Sequence, residues 1–269
     1  MSDPIVLVHG IFGFGQLIVG GTTIASYFRG IPEALRQDNY IVPDPPQLNT
    51  AGSVSDRAHD LRSYLDNPSN VDVVGKRVHI VAHSMGGLDS RFMISQLGLA
   101  DRVLSLTTIG TPHHGSPIAD LVIQDRDPRL VALLGSLGVT GIGDLTTARG
   151  AEFNWLVPEA GQVRYYSVAG HFDPPRPLGV PLGLLGLTHD LIQAQEGDND
   201  GMVSVTSATA GNDAHRWTFL GNWEANHFRL VNWGTDIVPT PAELRENTIL
   251  EMYGSIVARV VLDQAVEQE

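Results

Sequence analysis

The chain contains no cysteine. Disulfides, thiolate metal sites and a cysteine nucleophile are thereby excluded. Because secreted proteins can also dispense with cysteine, the compartment stays open. Basic residues are scarce: 17 Lys and Arg stand against 30 Asp and Glu, a net charge of −13. No basic stripe runs along the chain, so no nucleic-acid partner is expected. A signal peptide is also missing from view. Met1-Ser2-Asp3-Pro4 leads straight into an apolar strand, without a basic start, a long apolar core or a small-residue cleavage site. The expectation is a cytoplasmic protein, or one secreted with its leader removed or without a cleavable one. No transmembrane segment is expected either, since the apolar stretch from Leu178 to Leu187 is too short and is broken by Gly and Pro. Internal repeats and low-complexity linkers are absent.

What is present suits one large domain. The 269 residues are 42% hydrophobic and 17% charged, and a chain of this length buries roughly three quarters of its unfolded surface. Pro4 to Val8 is an unbroken β-branched and leucine run that suits a strand buried on both faces. A Gly-rich loop from Gly10 to Gly21 follows. Ile31 to Arg36 reads as a short helix with Pro32 in its first turn, and Tyr40 to Val42 as a short strand. Ser53 opens a helix to about Leu65, with Asp56 at the capping-box position. Further strands are expected at Arg77–Ala82, Val103–Ile109, Val163–Ala169 and Arg216–Leu220. Helices are expected at Met85–Leu97 and Pro241–Gln264. Such alternation implies an α/β fold with a mostly parallel sheet covered on both faces. Residues 116–159 break the rhythm. They read as a mostly helical insertion, very apolar at Leu130, Val131, Leu133, Leu134, Leu137 and Val139.

Ala82-His83-Ser84-Met85-Gly86-Gly87 lies between a buried strand and a helix. A Ser on such a turn is held in a strained conformation with its hydroxyl exposed. The residues two before and two after it must be small, because strand and helix pass close together; here they are Ala82 and Gly86. Met85 N–H then sits at a helix N-terminus, where a developing oxyanion can be met. His9-Gly10-Ile11-Phe12-Gly13 follows the first strand, and Ile11 N–H is the candidate second donor. His9 is expected to orient this loop through a hydrogen bond, not to act as a base. A Ser nucleophile needs a base held by a carboxylate, in the chain order Ser, acid, His. Of ten histidines only His227 follows the last expected strand. Asp200 lies on a turn after Val163–Ala169; Asp198 is the rival, but Gly201 beside Asp200 permits the tighter turn.

These segments resemble the bacterial true lipases of the Pseudomonas and Burkholderia type. The resemblance runs from Pro4 to about Ala119, through Ile5-Val6-Leu7-Val8-His9-Gly10-Ile11-Phe12-Gly13, Tyr27-Phe28-Arg29-Gly30-Ile31-Pro32, the Ser84 elbow and Thr111-Pro112-His113-His114-Gly115-Ser116. It returns at Tyr165-Tyr166-Ser167, Asn199-Asp200-Gly201 and Asn226-His227. It implies an α/β-hydrolase fold, hydrolysis of carboxylic esters, a lipid ester substrate that can lie at a lipid–water interface, and a helical lid at about 116–159. It places Ser84, Asp200 and His227 on the triad, and Ile11 and Met85 on the oxyanion donors. The family also carries a structural calcium, bound partly by an Asp two residues after the His. Arg229 stands there in this chain, and Trp233 replaces a Gln four residues further on, so no metal or other cofactor is expected. A short-chain esterase, an acyltransferase or thioesterase with the same triad, a silent binding protein, and a metal hydrolase using His113 and His114 are the competing readings.

Overall fold

The computed structural model describes residues 3–11, 16–19, 22–126, 128, 141–179, 183–211, 213–233 and 247–266. Five strands form one parallel sheet: β1 (Ile5–Val8), β4 (Val78–His83), β5 (Val103–Ile109), β6 (Arg164–His171) and β7 (Trp217–Glu224), in the spatial order β1-β4-β5-β6-β7. Every pairing in it is parallel. The unbroken apolar runs are explained by two cores. Val6, Val8, Val78, Ile80, Ala82 and Leu106 face one side, where they meet Leu61 and Leu65 of α2 (Val54–Asp66) and Met93 and Ile94 of α3 (Met85–Gln96). Ile5, Leu7, Val81, Ile109 and Val168 face the other. There they meet Leu35 of α1 (Ile31–Gln37) and Tyr253 and Val257 of the terminal helix (Asn247–Val266). Alternate residues of a strand point to opposite faces, so a strand covered twice is apolar on both, and the polar residues buried in β4 and β5 are uncharged ones such as His79, Ser105 and Thr108.

Local signals act as expected at α2. Ser53 Oγ accepts the Asp56 N–H, and the Asp56 carboxylate accepts the Ser53 N–H at 3.2 Å, a complete capping box with Asp in place of Glu. Two expectations are corrected. The loop Gly10–Gly21 holds part of a hairpin, β2 (Gln16–Val19) against β3 (Thr22–Ser26); these are β-branched runs separated by Gly20-Gly21, a two-residue hairpin signal. Tyr40–Val42 is not a strand. Its tie to the sheet is one bond, Ile5 N–H to Ile41 O at 2.8 Å, because α1 delivers the chain to the edge of β1 and then leaves it. Arg216–Leu220 extends further than expected, to Glu224.

Between β5 and β6 lie α4 (Pro117–Ile123), a 3-10 turn at Gly141–Leu145 and α5 (Thr147–Leu156). After β6 come α6 (Gly183–Glu196) and α7 (Val205–Thr209), and the terminal helix is α8. The lid expectation at Leu130–Val139, and the start of the terminal helix at Pro241, fall outside the described residues. No described helix is long and apolar enough to cross a membrane. The loops after β1, β4, β6 and β7 all leave the carboxyl end of the sheet, the edge where open α/β sheets assemble their sites.

Candidate active site

Ser84 follows β4 at φ 55° and ψ −133°, in the left-handed half of backbone space. Non-glycine residues persist there only when their surroundings over-determine them. Three bonds do so: Ser84 N–H to Ile109 O at 2.9 Å, Thr111 Oγ1 to Ser84 O at 2.7 Å, and Gly87 N–H to Ser84 O at 3.1 Å. The small residue at position 86 is required by contact, since a Cβ there would fall 2.7 Å from Val8 O.

The chain order Ser, Asp, His becomes a spatial order. His227 Nε2 lies 3.0 Å from Ser84 Oγ, and His227 Nδ1 lies 2.7 Å from Asp200 Oδ2. Asp200 has only its carboxylate as acceptor, so Nδ1 carries the proton and Nε2 is left to accept the Ser84 hydroxyl. The second oxygen, Asp200 Oδ1, accepts N–H groups from Met202 at 2.9 Å and Val203 at 2.8 Å. Gly201, at φ 91°, closes that turn. His227 N–H also bonds to Asp200 O at 2.8 Å, so acid and base are tied through backbone as well as side chain. All three residues are buried. The rival Asp198 is exposed.

Ser84 and His227 open onto a cavity of about 340 Å³. Its walls are almost wholly apolar, with Ile11, Ile118, Ile142 and Leu145 toward α4 and Phe228 and Val231 toward β7. Ile11 therefore shares a cavity with Ser84, and Met85 opens the helix that follows it. His113 does not reach this space. It is fully buried, its Nδ1 accepts from Arg91 at 3.2 Å and its Nε2 meets Thr108 Oγ1 at 3.0 Å. Arg91 in turn pairs with Glu159 at 3.2 Å, and Glu159 takes the Trp217 indole N–H at 3.0 Å. This network packs the loop after β5, and burial pushes His113 well below the usual histidine range. The lone pair of the neutral ring is taken by the Arg91 guanidinium, which leaves His113 none for a metal ion.

Several residues around the site had no role there that the sequence made readable. Tyr27 lines the cavity and its hydroxyl lies 2.7 Å from His83 Nδ1. Arg57, wholly buried, pairs with Asp89 at 2.8 Å and donates to His9 O at 2.7 Å. Burial pushes Asp89 up to about 7 against the pull of Arg57. A pattern search cannot pair residues 32 or more positions apart without a fold to join them.

The Alpha/beta hydrolase family model matches residues 5–246. The chain belongs to the α/β-hydrolase family. Among curated relatives of this α/β-hydrolase, a triacylglycerol lipase of Vibrio cholerae is 30% identical over 271 residues, covering 85% of this chain and 79% of the relative. Triacylglycerol lipase 2 of Saccharomyces cerevisiae is 33% identical over 272 residues, covering 86% and 81%. Among solved structures, the Staphylococcus hyicus lipase superposes with a TM-score of 0.75 at 18% identity, over 99% of this chain and 97% of that one, a likeness of fold. With the family comes the activity expected from the sequence, ester hydrolysis by a serine hydrolase of the lipase kind.

The calcium site implied by the resemblance requires oxygen ligands at positions 229 and 233. Arg229 carries a buried guanidinium, and its backbone N–H donates to Asn226 Oδ1 at 2.9 Å. Trp233 directs its indole N–H to Tyr27 O at 2.8 Å. Both side chains present hydrogen-bond donors where a calcium ion needs acceptors, and the residues do not fit the ion. Among the described residues, no three His, Asp or Glu converge as a metal-holding group.

Proposed function

We propose that this α/β-hydrolase cleaves acylglycerol esters through an acyl-enzyme on Ser84. The observation that carries the proposal is the run Asp200–His227–Ser84, at 2.7 and 3.0 Å, opening onto an apolar cavity. His227 Nε2 takes the Ser84 proton as Oγ attacks the ester carbonyl, and Asp200 stabilises the imidazolium that forms. The N–H groups of Ile11 and Met85 receive the oxyanion. Collapse of the tetrahedral adduct expels the alcohol, protonated by His227. A water molecule, deprotonated by His227, then releases the carboxylic acid. The apolar walls suit an acyl chain, and among the described residues no Asp, Glu, Lys or Arg lines the cavity, which suits a neutral ester.

Residues 116–159 are proposed as a cap over this cavity. In support, Ile118, Ala119, Ile142 and Leu145 from this stretch line it. A cap that opens on lipid makes activity on a long-chain glycerol ester rise sharply above the ester's solubility limit. The measurement is rate against substrate concentration through that limit; a smooth saturating curve would point to an open-pocket esterase instead.

The enzyme is proposed to work without calcium at the Arg229–Trp233 position. Dialysis against EDTA is expected to leave both the melting temperature and the rate unchanged. A melting temperature that falls with EDTA and returns with calcium would refute this.

A further inference from the structure

Every polar group of the peptide unit around Gly10 that does not face the cavity is held by a side chain. His9 Nδ1 lies 2.8 Å from Gly10 O, and His9 Nε2 lies 3.1 Å from Leu48 N. A carbonyl can only accept and a backbone N–H can only donate, so the two bonds allow a single tautomer: Nδ1 carries the proton and Nε2 accepts. Burial first, then the nearby Arg57 guanidinium, lowers His9 to about 4. The ring is therefore neutral, with that tautomer fixed, across the neutral range. On the other side of the same residue, Gly10 N–H donates to Tyr27 Oη at 3.2 Å, which leaves the tyrosine proton for His83 Nδ1 at 2.7 Å. His83 is fully buried and its pKa is pushed well below the usual histidine range by that burial, so it can accept. Arg57 fixes the residue before, through His9 O at 2.7 Å.

The geometry has one consequence for the reaction. No described peptide bond is cis, and in a trans peptide the C=O and N–H point in opposite directions. With Gly10 O drawn to the buried His9 ring, the N–H of the next residue, Ile11, is turned away from that ring. His9 does not line the cavity, whereas Ile11 and Ser84 do. Gly10 itself lies against the nucleophile: a Cβ on it would fall 2.7 Å from Ser84 Cβ. We infer that His9, through Gly10 O, and Tyr27, through Gly10 N–H in the preceding peptide unit, are positioning residues that clamp Gly10 from both sides, and so pre-aim the N–H of the following Ile11 at the oxyanion. The inference rests on the reading of Ser84 as nucleophile and Ile11 as oxyanion donor. It adds two side chains that form no bond to Ser84 Oγ, His9 outside the cavity lining and Tyr27 within it, and it gives His9 a role distinct from acid–base chemistry.

Three variants test it on a soluble p-nitrophenyl ester. His9→Leu removes both ring bonds and is expected to lower kcat by about 10²-fold, the scale of losing one oxyanion donor, with KM within about twofold. His9→Asn can place an amide N–H where Nδ1 stood, and should recover about tenfold of that loss. Tyr27→Phe keeps the ring and removes only the acceptor for Gly10 N–H; about a tenfold fall in kcat is expected. Affinity for an alkyl trifluoromethyl ketone, whose adduct on Ser84 bears an oxyanion, should fall in parallel with kcat, while the pH profile keeps its shape. A loss carried by KM, an asparagine variant no better than leucine, or unchanged ketone affinity would each overturn the clamp. If His9→Leu does not fold, Tyr27→Phe decides on the same readouts. Ser84→Ala is run alongside. If that variant is fully active, the nucleophile reading fails and the clamp falls with it; if it is inert while His9→Leu and Tyr27→Phe are fully active, only the clamp fails.

Discussion

Replacement of Ser84 by Ala is expected to lower kcat on the order of 10⁴- to 10⁶-fold, the range seen when one member of a cooperating triad is removed. The residual rate would come from the cavity and the oxyanion donors, so KM should change little. Nothing else in the site depends on the hydroxyl. Ser84 N–H and C=O are held by Ile109, Thr111 and Gly87 through backbone groups that Ala retains. The variant loses one hydrogen bond to His227, worth about 1 kcal/mol, so its melting curve should lie close to the parent's. The backbone at φ 55° adds a second test. Ala keeps the Cβ and hence the strain, whereas Gly tolerates that conformation. Ser84→Gly should therefore be as inert as Ser84→Ala yet more stable than it, by about 1 kcal/mol. A stable protein, equally dead, separates chemistry from folding. Activity of Ser84→Ala within tenfold of the parent on a p-nitrophenyl ester, or continued labelling by a fluorophosphonate, would remove Ser84 from its role.

Legibility in the sequence followed the range of the forces involved. The strand β1 could be placed because burial on both faces leaves its run wholly apolar, β4 and β5 because they are uncharged and rich in β-branched and aliphatic residues, and α2 because its capping box is complete within four residues. The elbow could be read because a steric demand, Val8 O against position 86, is met by a small residue at a fixed offset from Ser84. Asp200 and His227 could be placed by their order along the chain and by the family resemblance, not by spacing, since 27 and 143 residues separate His227 from its two partners. The hairpin at Gln16–Ser26 was hidden by the glycines around it, which read as loop. Tyr27 was hidden more deeply. Its bonds reach back 17 residues to Gly10 and forward 56 to His83, and neither end has a periodicity to betray it. The buried pair Arg57–Asp89 is a further case: each residue, taken alone, is an ordinary charge on a helix, and only the packing of α2 on α3 removes both from water.

The same contrast bears on the carboxylate. Asp198 and Asp200 are two residues apart and nearly equivalent as letters, but the fold gives them opposite surroundings, Asp198 exposed and Asp200 wholly buried beside His227. Replacing Asp200 by Asn is expected to lower kcat by about 10⁴-fold, for a reason specific to this turn. Asp200 Oδ1 already receives two N–H groups, from Met202 and Val203. An Asn amide must keep its oxygen on that side, because its NH₂ would meet two donors there. The NH₂ is then left facing His227 Nδ1, which must accept instead of donate. The imidazole is driven into the other tautomer, with its proton on Nε2, where it blocks the approach of the Ser84 hydroxyl proton. The loss should fall on kcat with KM nearly unchanged, because the carboxylate does not line the cavity. Asp198→Asn is expected to leave the rate within about twofold, since its exposed side chain meets no part of this chain of bonds. Equal losses in the two variants, or an Asp200→Asn enzyme within tenfold of the parent, would mean that the turn does not set the tautomer of His227.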